Sequence, residues 1–334
     1  MLYSLQSLRG IFAILIFLNH IASFDAGGDA GVAFFFILSG FVLCNGYESR
    51  ICGHKISFKS FITKRLSKIY PLHLLCFAAA IILQLRAVDT GLLRIWALNL
   101  LLLQSWIPIS DIYFSANDVS WFLSDILFCY AIFPLAVRFI RRLKTRRIFM
   151  FTVAILAIYF TVVSLLPASY ANPIIYVNPL SRVVDFTLGI VLWQVLHSSR
   201  TTQTCSRAEA LSYGTKSAIE LCVVSLLAGT FLAYPYVCIN FATASLWWLP
   251  AIAVISVFTI FETKGGVVSA LLHKRPLLWF GGISFSFYMI HHLVIRYGEI
   301  IMEHLGLPEH PSIVIPLFLA ASTVGAYIVS RFFN

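Results

Sequence analysis

The chain has 334 residues, 60% of them hydrophobic and only 11% charged, with a mean hydropathy of +0.88. An ordinary soluble domain is about a quarter charged and under half apolar, so a soluble globule, a disordered chain, a coiled coil and a disulfide scaffold are all excluded. The net charge of +10 looks like a nucleic-acid signal, but the placement of the cations along the chain points to a membrane, and no nucleic-acid partner is expected.

A helix needs roughly 20 apolar residues to cross a bilayer. Runs of that length recur here, about twice as long as the alternating strands of a membrane β-barrel. In chain order they predict spans near 7–24, 31–48, 69–88, 119–138, 148–166, 181–197, 217–236, 244–262, 277–297 and 312–331. The expected fold is an all-α, polytopic transmembrane bundle of about ten spans, forming a single integral membrane domain over 1–334. The first run has no small-residue cleavage site behind it and reads as a retained span, not a signal peptide. A further apolar stretch, 92–107, needs the topology to place it.

Lys and Arg collect on the cytoplasmic side. Two clusters set the frame: Arg50, Lys55, Lys59, Lys64, Arg65 and Lys68, then Arg138, Arg141, Arg142, Lys144, Arg146 and Arg147. With both clusters inside, the chain must cross an even number of times between them. Spans 69–88 and 119–138 supply two crossings, so 92–107 is expected as a re-entrant or surface helix on the outer side. Both termini are then cytoplasmic, and 20 of the 24 Lys and Arg lie inside, with Arg86, Arg94, Arg182 and Arg296 outside. Anionic membrane lipid accounts for much of the basic inner face; a few of these cations are free to hold an anionic cytosolic substrate. The polar inner loop 198–216 is expected to be mobile. The seven cysteines (Cys44, Cys52, Cys76, Cys129, Cys205, Cys222, Cys238) are scattered, without CxxC or Cys/His ligand spacing, so neither disulfides nor a metal site is expected.

Ionisable groups inside spans are costly and usually functional. In the first span Arg9 and His20 stand eleven residues apart, almost three whole turns, so both lie on one stripe about 16 Å apart along the axis. Each alone has a plain reading, an anchoring cation and a hydrogen-bonded structural His; their alignment suggests a shared pathway. Span 31–48 carries Phe34, Phe35 and Phe36 before Ser39 and Gly40, small residues that suit helix packing. Lys64, Arg65 and Lys68 open the third span, where Arg65 and Lys68 can converge on one phosphate or serve as membrane anchors. Asp125 lies two turns inside the fourth span, behind Asp118, and an unpaired carboxylate there would cost several kcal/mol. Arg182 and Asp185, three apart, can neutralise each other. His291 and His292 come late in span 277–297, at the depth of His20; adjacent residues point about 100° apart and do not chelate one metal. Trp106, Trp121, Trp247 and Trp248 lie near the outer boundary, as an interfacial belt or as flat faces for sugar rings.

Together, Arg9-x10-His20, FFFILSGF at 34–41, KRLSKIYP at 64–71, SWFLSDILFCY at 120–130 and ISFSFYMIH at 283–291 resemble, in order and spacing, the acyltransferase-3 family of integral membrane carbohydrate O-acyltransferases. The resemblance covers nearly the whole chain. It implies ten spans, a cytosolic acyl-CoA donor (acetyl-CoA as the expected case), and transfer to a hydroxyl of an extracytoplasmic or lipid-linked carbohydrate. It also implies that Arg9 and His20 are the essential pair, that Arg65 and Lys68 contact the CoA phosphates with Lys64 beside them, and that His291 joins the catalytic group. Lys68 stands where the family's RxxR has its second Arg, a point charge without a bidentate fork. Ala33 stands where a common form of the motif has Asp, so the acid that orients His20 must come from elsewhere, with Asp29, Asp118 and Asp125 all open. Asp125 stands where Glu is frequent. Many relatives carry a fused extracytoplasmic hydrolase-like domain that is not seen in this sequence.

The expected chemistry follows from imidazole, which titrates near neutral pH and suits proton transfer. His20 is the expected general base on the acceptor hydroxyl, and His291 binds the oxyanion or the acceptor. A bacterial cytoplasmic membrane is the expected location. The rival classes are a transporter or channel, which also uses intramembrane His, Asp and Arg but would be expected to show an inverted repeat, and a glycan polymerase or flippase, which needs no CoA site.

Overall fold

With no water in the bilayer core, a spanning segment must satisfy its backbone internally, and each predicted run does become a helix. The computed structural model describes residues 2–85, 89–198, 208, 210–307 and 310–333. Arg86, Cys205 and most of the loop 198–216 therefore lie outside the described residues. The helices are α1 (Tyr3–Ala22), α2 (Asp25–Cys52), α3 (Phe58–Ile82), α4 (Thr90–Leu100), α5 (Ser110–Tyr113), α6 (Trp121–Arg142) and α7 (Thr145–Leu165). They continue as α8 (Pro179–Leu196), α9 (Tyr213–Ala233), α10 (Ile239–Ala242), α11 (Trp248–Ile260), α12 (Val267–Leu272), α13 (Arg275–Leu305) and α14 (Pro311–Phe333). Among the described residues there is no strand, and 9 helices are long and apolar enough to cross a membrane.

The tenth crossing is α11, whose apolar helical stretch Ser245–Ile260 is shorter than the other spans. Its contacts show that it runs from end to end. Just before it, the Asn240 side chain donates to the carbonyls of Val163 and Leu166 at the end of α7. Just after it, the Glu262 carboxylate accepts the backbone N–H groups of Tyr3 and Ser4 at the start of α1. Among the described cations only Arg94, Arg182 and Arg296 sit towards the end where α1 finishes; the others gather at the end where it begins. These are the opposite end and the basic end.

Two boundaries move for physical reasons. Helix α2 starts two turns early because its DAGGDAG segment, polar to a hydropathy reading, is glycine-rich so that it can lie against α1. A Cβ at Gly31 would press on Ile16 and the Phe12 carbonyl. Helix α3 starts at Phe58, where Ser57 accepts the Ser60 N–H as N-cap, so Lys64, Arg65 and Lys68 lie inside the helix and not at its mouth.

The re-entrant element is present. Helix α4 is 11 residues long, about 16 Å, half the apolar thickness. It enters from the opposite end, where Trp96 Nε1 donates to Gln84 at 2.8 Å. It stops where His73 Nε2 meets the Asn99 carbonyl at 3.0 Å, about 13 Å below the end of α3. The chain then turns back, with Ser124 donating to the Leu102 carbonyl and Ser105 donating to Ser124.

Two glycine crossings hold the centre. A Cβ on Gly40 or Gly189 would collide with the backbone of α8 or α2, and a Cβ on Gly281 with the Gln6 carbonyl of α1. Such backbone approach is what small residues provide between membrane helices. On the α2–α8 side the expected Arg182–Asp185 neutralisation is found, at 2.7 Å and fully buried. Arg182 also donates to the carbonyls of Tyr176 and Thr243, and Asp185 accepts the Trp248 indole N–H. Trp121, Trp247 and Trp248 are buried, so the expectation of a membrane belt is corrected for these three: they pack inside the protein, Trp121 on Tyr176, Trp247 on Phe231 and Trp248 on the buried Asp185. Trp106 is 37% exposed.

The topology yields a direct check. In a background cleared of reactive cysteines, a cysteine replacing Asn172 should label only from outside the cell and one replacing Thr263 only from inside. Labelling of both from one side would break the ten-span arrangement.

Candidate active site

Helices α1 and α13 run parallel and touch at Gly10 and Gly281, where even a Cβ on Gly10 would press on Phe280 and the Gly281 backbone. His20 stands ten residues after Gly10, and His291 ten after Gly281. Equal rise along two parallel helices carries both to the same depth, about 15 Å from the crossing. Their ring centroids are 5.1 Å apart, and His292 lies 4.7 Å from His20 on the other side. His291 and His292 diverge by about 100°, as adjacent residues of a helix must, yet a third ring from α1 fits between them. Phe17, one turn below His20, packs on Phe287 and His291.

His291 is fully buried, and its Nδ1 faces the Tyr288 carbonyl at 2.7 Å. Only a protonated nitrogen can bond a carbonyl, so in the neutral ring the proton sits on Nδ1 and Nε2 carries a bare lone pair. Among the described residues no group takes up that lone pair. An oxyanion-binding His would need an Nε2–H, so this geometry favours a proton-accepting role. His292 Nδ1 faces Asp118 at 3.7 Å, and the other Asp118 oxygen is 3.6 Å from Arg296. The loop carrying Asp118 is stapled to α13: Arg296 donates to the Ala116 carbonyl, Asn117 to Met289, and Tyr288 to Val119. Beside this group opens a cavity of about 500 Å³ lined by His292, Arg296, Asp118, Ser115, Phe114, Asp111 and Gln84, with Leu92 and Ile95 of α4.

At the basic end of the same helix, Arg9 and Arg65 both approach the half-buried Tyr130 of α6. Arg65 also donates to the Tyr47 hydroxyl and lies 4.5 Å over its ring. Among the described residues neither Arg9 nor Arg65 forms an ion pair, and Arg65 Nε is buried without a hydrogen bond. Two cations with no carboxylate partner among the described residues form a candidate anion site. Lys64 and Lys68 are exposed on the adjoining face of α3.

The structure thus brings together Arg9 with Arg65, and His20 with His291. It does not bring Asp29 or Asp125 to His20. Asp29 accepts the Tyr234 hydroxyl at 2.8 Å on the α2–α9 side. Asp125 is buried with Ser105, Arg182 and Asp185 as its electrostatic neighbours. Asp118, the remaining carboxylate considered, reaches the cluster through His292. Sequence reasoning missed His292, Arg296, Tyr47 and Tyr130. Adjacent histidines were a visible signal, whereas a tyrosine in an apolar run reads only as core.

A family model described as an acyltransferase domain matches residues 2–331. The chain belongs to the acyltransferase-3 family. It is 32% identical over 331 residues to the acyltransferase MdmB of Streptomyces mycarofaciens, covering 90% of this chain and 80% of that protein. No solved structure matches the chain. Family and fold together make the protein a multi-pass membrane acyltransferase, and acyl transfer takes precedence over the transporter reading.

The register of this acyltransferase is open to test. Gly281→Leu must force α13 off the Gln6 carbonyl, and overpacking of this kind typically costs about 1–3 kcal/mol. A lower melting temperature is expected. Gly282→Leu, where the nearest atom is the end of the Gln6 side chain at 3.5 Å, should melt close to the parent.

Proposed function

We propose that this membrane acyltransferase moves an acyl group, acetyl in the first instance, from acyl-CoA at its basic end to a hydroxyl of a carbohydrate or lipid-linked glycan at the opposite end. One observation carries the reading: the helix that bears Arg9 delivers His20 into contact with His291 and His292 beside a polar cavity. The positive-inside rule puts the basic end and both termini in the cytoplasm, where CoA thioesters are made, and a bacterial cytoplasmic membrane is the location that fits.

Arg9 and Arg65 hold the donor phosphates through charge-assisted hydrogen bonds, with Lys64 and Lys68 adding steering charge at the rim. The acyl arm rises beside α1 towards His20. His20 takes the proton of the acceptor hydroxyl as its oxygen attacks the thioester carbonyl. The C–S bond breaks, an ester C–O bond forms, and the same proton returns to the CoA sulfur. His291, whose bare Nε2 has no partner among the described residues and whose ring centroid lies 5.1 Å from that of His20, is placed to receive the other N–H of His20 when the imidazolium forms, the orienting role for which a carboxylate was sought. His292, set by Asp118 and Arg296, confines the ring from the far side.

Two measurements test this. Arg65→Ala should weaken acetyl-CoA binding about 10- to 100-fold, the value of one or two hydrogen bonds to a charged group, whereas Lys68→Ala should cost less because Lys68 is exposed. Unchanged binding in Arg65→Ala would return the arginine to a purely structural role. His20→Ala should lower transfer about 10²–10⁴-fold, the usual loss for a general base, with acetyl-CoA binding and the melting temperature retained. Undiminished transfer would refute the mechanism.

A further inference from the structure

The cavity beside His292 has a charge balance that bears on what it admits. This argument rests on the reading that the acceptor enters there. Arg296 is the only cation among the described lining residues, and it is already engaged, 3.6 Å from Asp118 and donating to the Ala116 carbonyl at 3.0 Å. Asp111 is a second carboxylate on the wall. It lies exposed, accepts a hydrogen bond only from Ser110, and has no cationic partner among the described residues. Gln84 uses its carbonyl oxygen to accept the Trp96 indole N–H, which leaves its amide N–H groups as donors. Phe114 offers an apolar ring on the same wall, and His292 Nδ1 is buried there without a hydrogen bond.

We infer that this cavity selects a sugar or polyol that carries no negative charge, and prefers one that bears an amine. A carboxylate accepts hydroxyl or ammonium protons, the amide donates to ring and hydroxyl oxygens, and the Phe114 ring covers an apolar sugar face. An anionic sugar meets Asp111 and Asp118 with no unpaired cation among the described lining residues to offset them. At an effective dielectric constant between that of water and that of a protein surface, one unit charge some 6–7 Å away changes affinity by about tenfold. Uronic acids and other acidic sugars are therefore disfavoured, and Asp111 is the residue that discriminates.

The experiment uses the purified full chain and three matched probes: methyl glucoside, its 2-amino-2-deoxy analogue and methyl glucuronide. Titration calorimetry without donor reads the cavity alone. The amino sugar is expected to bind about tenfold or more tighter than the glucuronide, with the neutral glucoside between them. Asp111→Lys should reverse the order of amine and glucuronide while leaving the melting temperature unchanged. Equal binding of all three, no binding of any, or a ratio untouched by Asp111→Lys would overturn the inference. Adding acetyl-CoA then asks a separate question. Binding in the expected order without ester formation would count against the acyl-transfer mechanism and leave the charge selection standing.

Discussion

The contact of Gly10 with Gly281 is the constraint on which the site depends. Lipid offers no hydrophobic drive between helices, so association relies on close packing and hydrogen bonds. Here the backbones of α1 and α13 meet with no side chain between them. The helices are parallel, so a match at one level repeats at every level above it. The register is locked from the basic end, where Ser7 donates to the Leu272 carbonyl, Gln6 to the Leu278 carbonyl at 2.7 Å, and Glu262 accepts the first N–H groups of α1. The histidines at the far end inherit that alignment. A slip of one residue would turn His20 by about 100° and take it out from between its partners.

The arginines drawn into the bundle divide by what the protein does with them. All three nitrogens of Arg182 donate, to the carbonyls of Tyr176 and Thr243 and to Asp185, and its guanidinium lies 4.9 Å over the Tyr176 ring. Removing one partner of such a pair commonly costs about 3–5 kcal/mol, so this group knits α8 to the α7–α11 side, with every one of its nitrogens already engaged by the protein. Arg9 and Arg65 are the reverse case, with phenols in place of carboxylates. The same residue type is structural on one side of the bundle and available on the other, and only the partners show which.

Much of this was legible in the chain. The spans, the half-depth helix and the charge asymmetry follow from hydropathy and the parity of crossings, because lipid leaves few alternatives. Arg9 and His20 follow from helical phase. The histidine cluster was half legible: His291 and His292 diverge as adjacent residues must, but the third ring that fills the gap comes from a helix more than 250 positions away in sequence. Asp29 and Asp125 seemed able to orient His20 because depth along a span can be read from sequence. The direction in which a side chain leaves the helix, relative to the other helices, cannot. The glycine of the DAGGDAG segment misled in the opposite way, since residues selected for backbone contact score as loop.

Helix α1 also behaves as a spacer of fixed length. Arg9 and His20 are separated by eleven residues of rigid helix, about 16 Å. A donor whose carbonyl sits next to its phosphate, such as an acyl phosphate, cannot engage both ends at once. A donor that carries its carbonyl on a long arm can. On the proposed mechanism, the helix would therefore sort activated acyl groups by reach before any chemistry begins, independently of how strongly the phosphates are held.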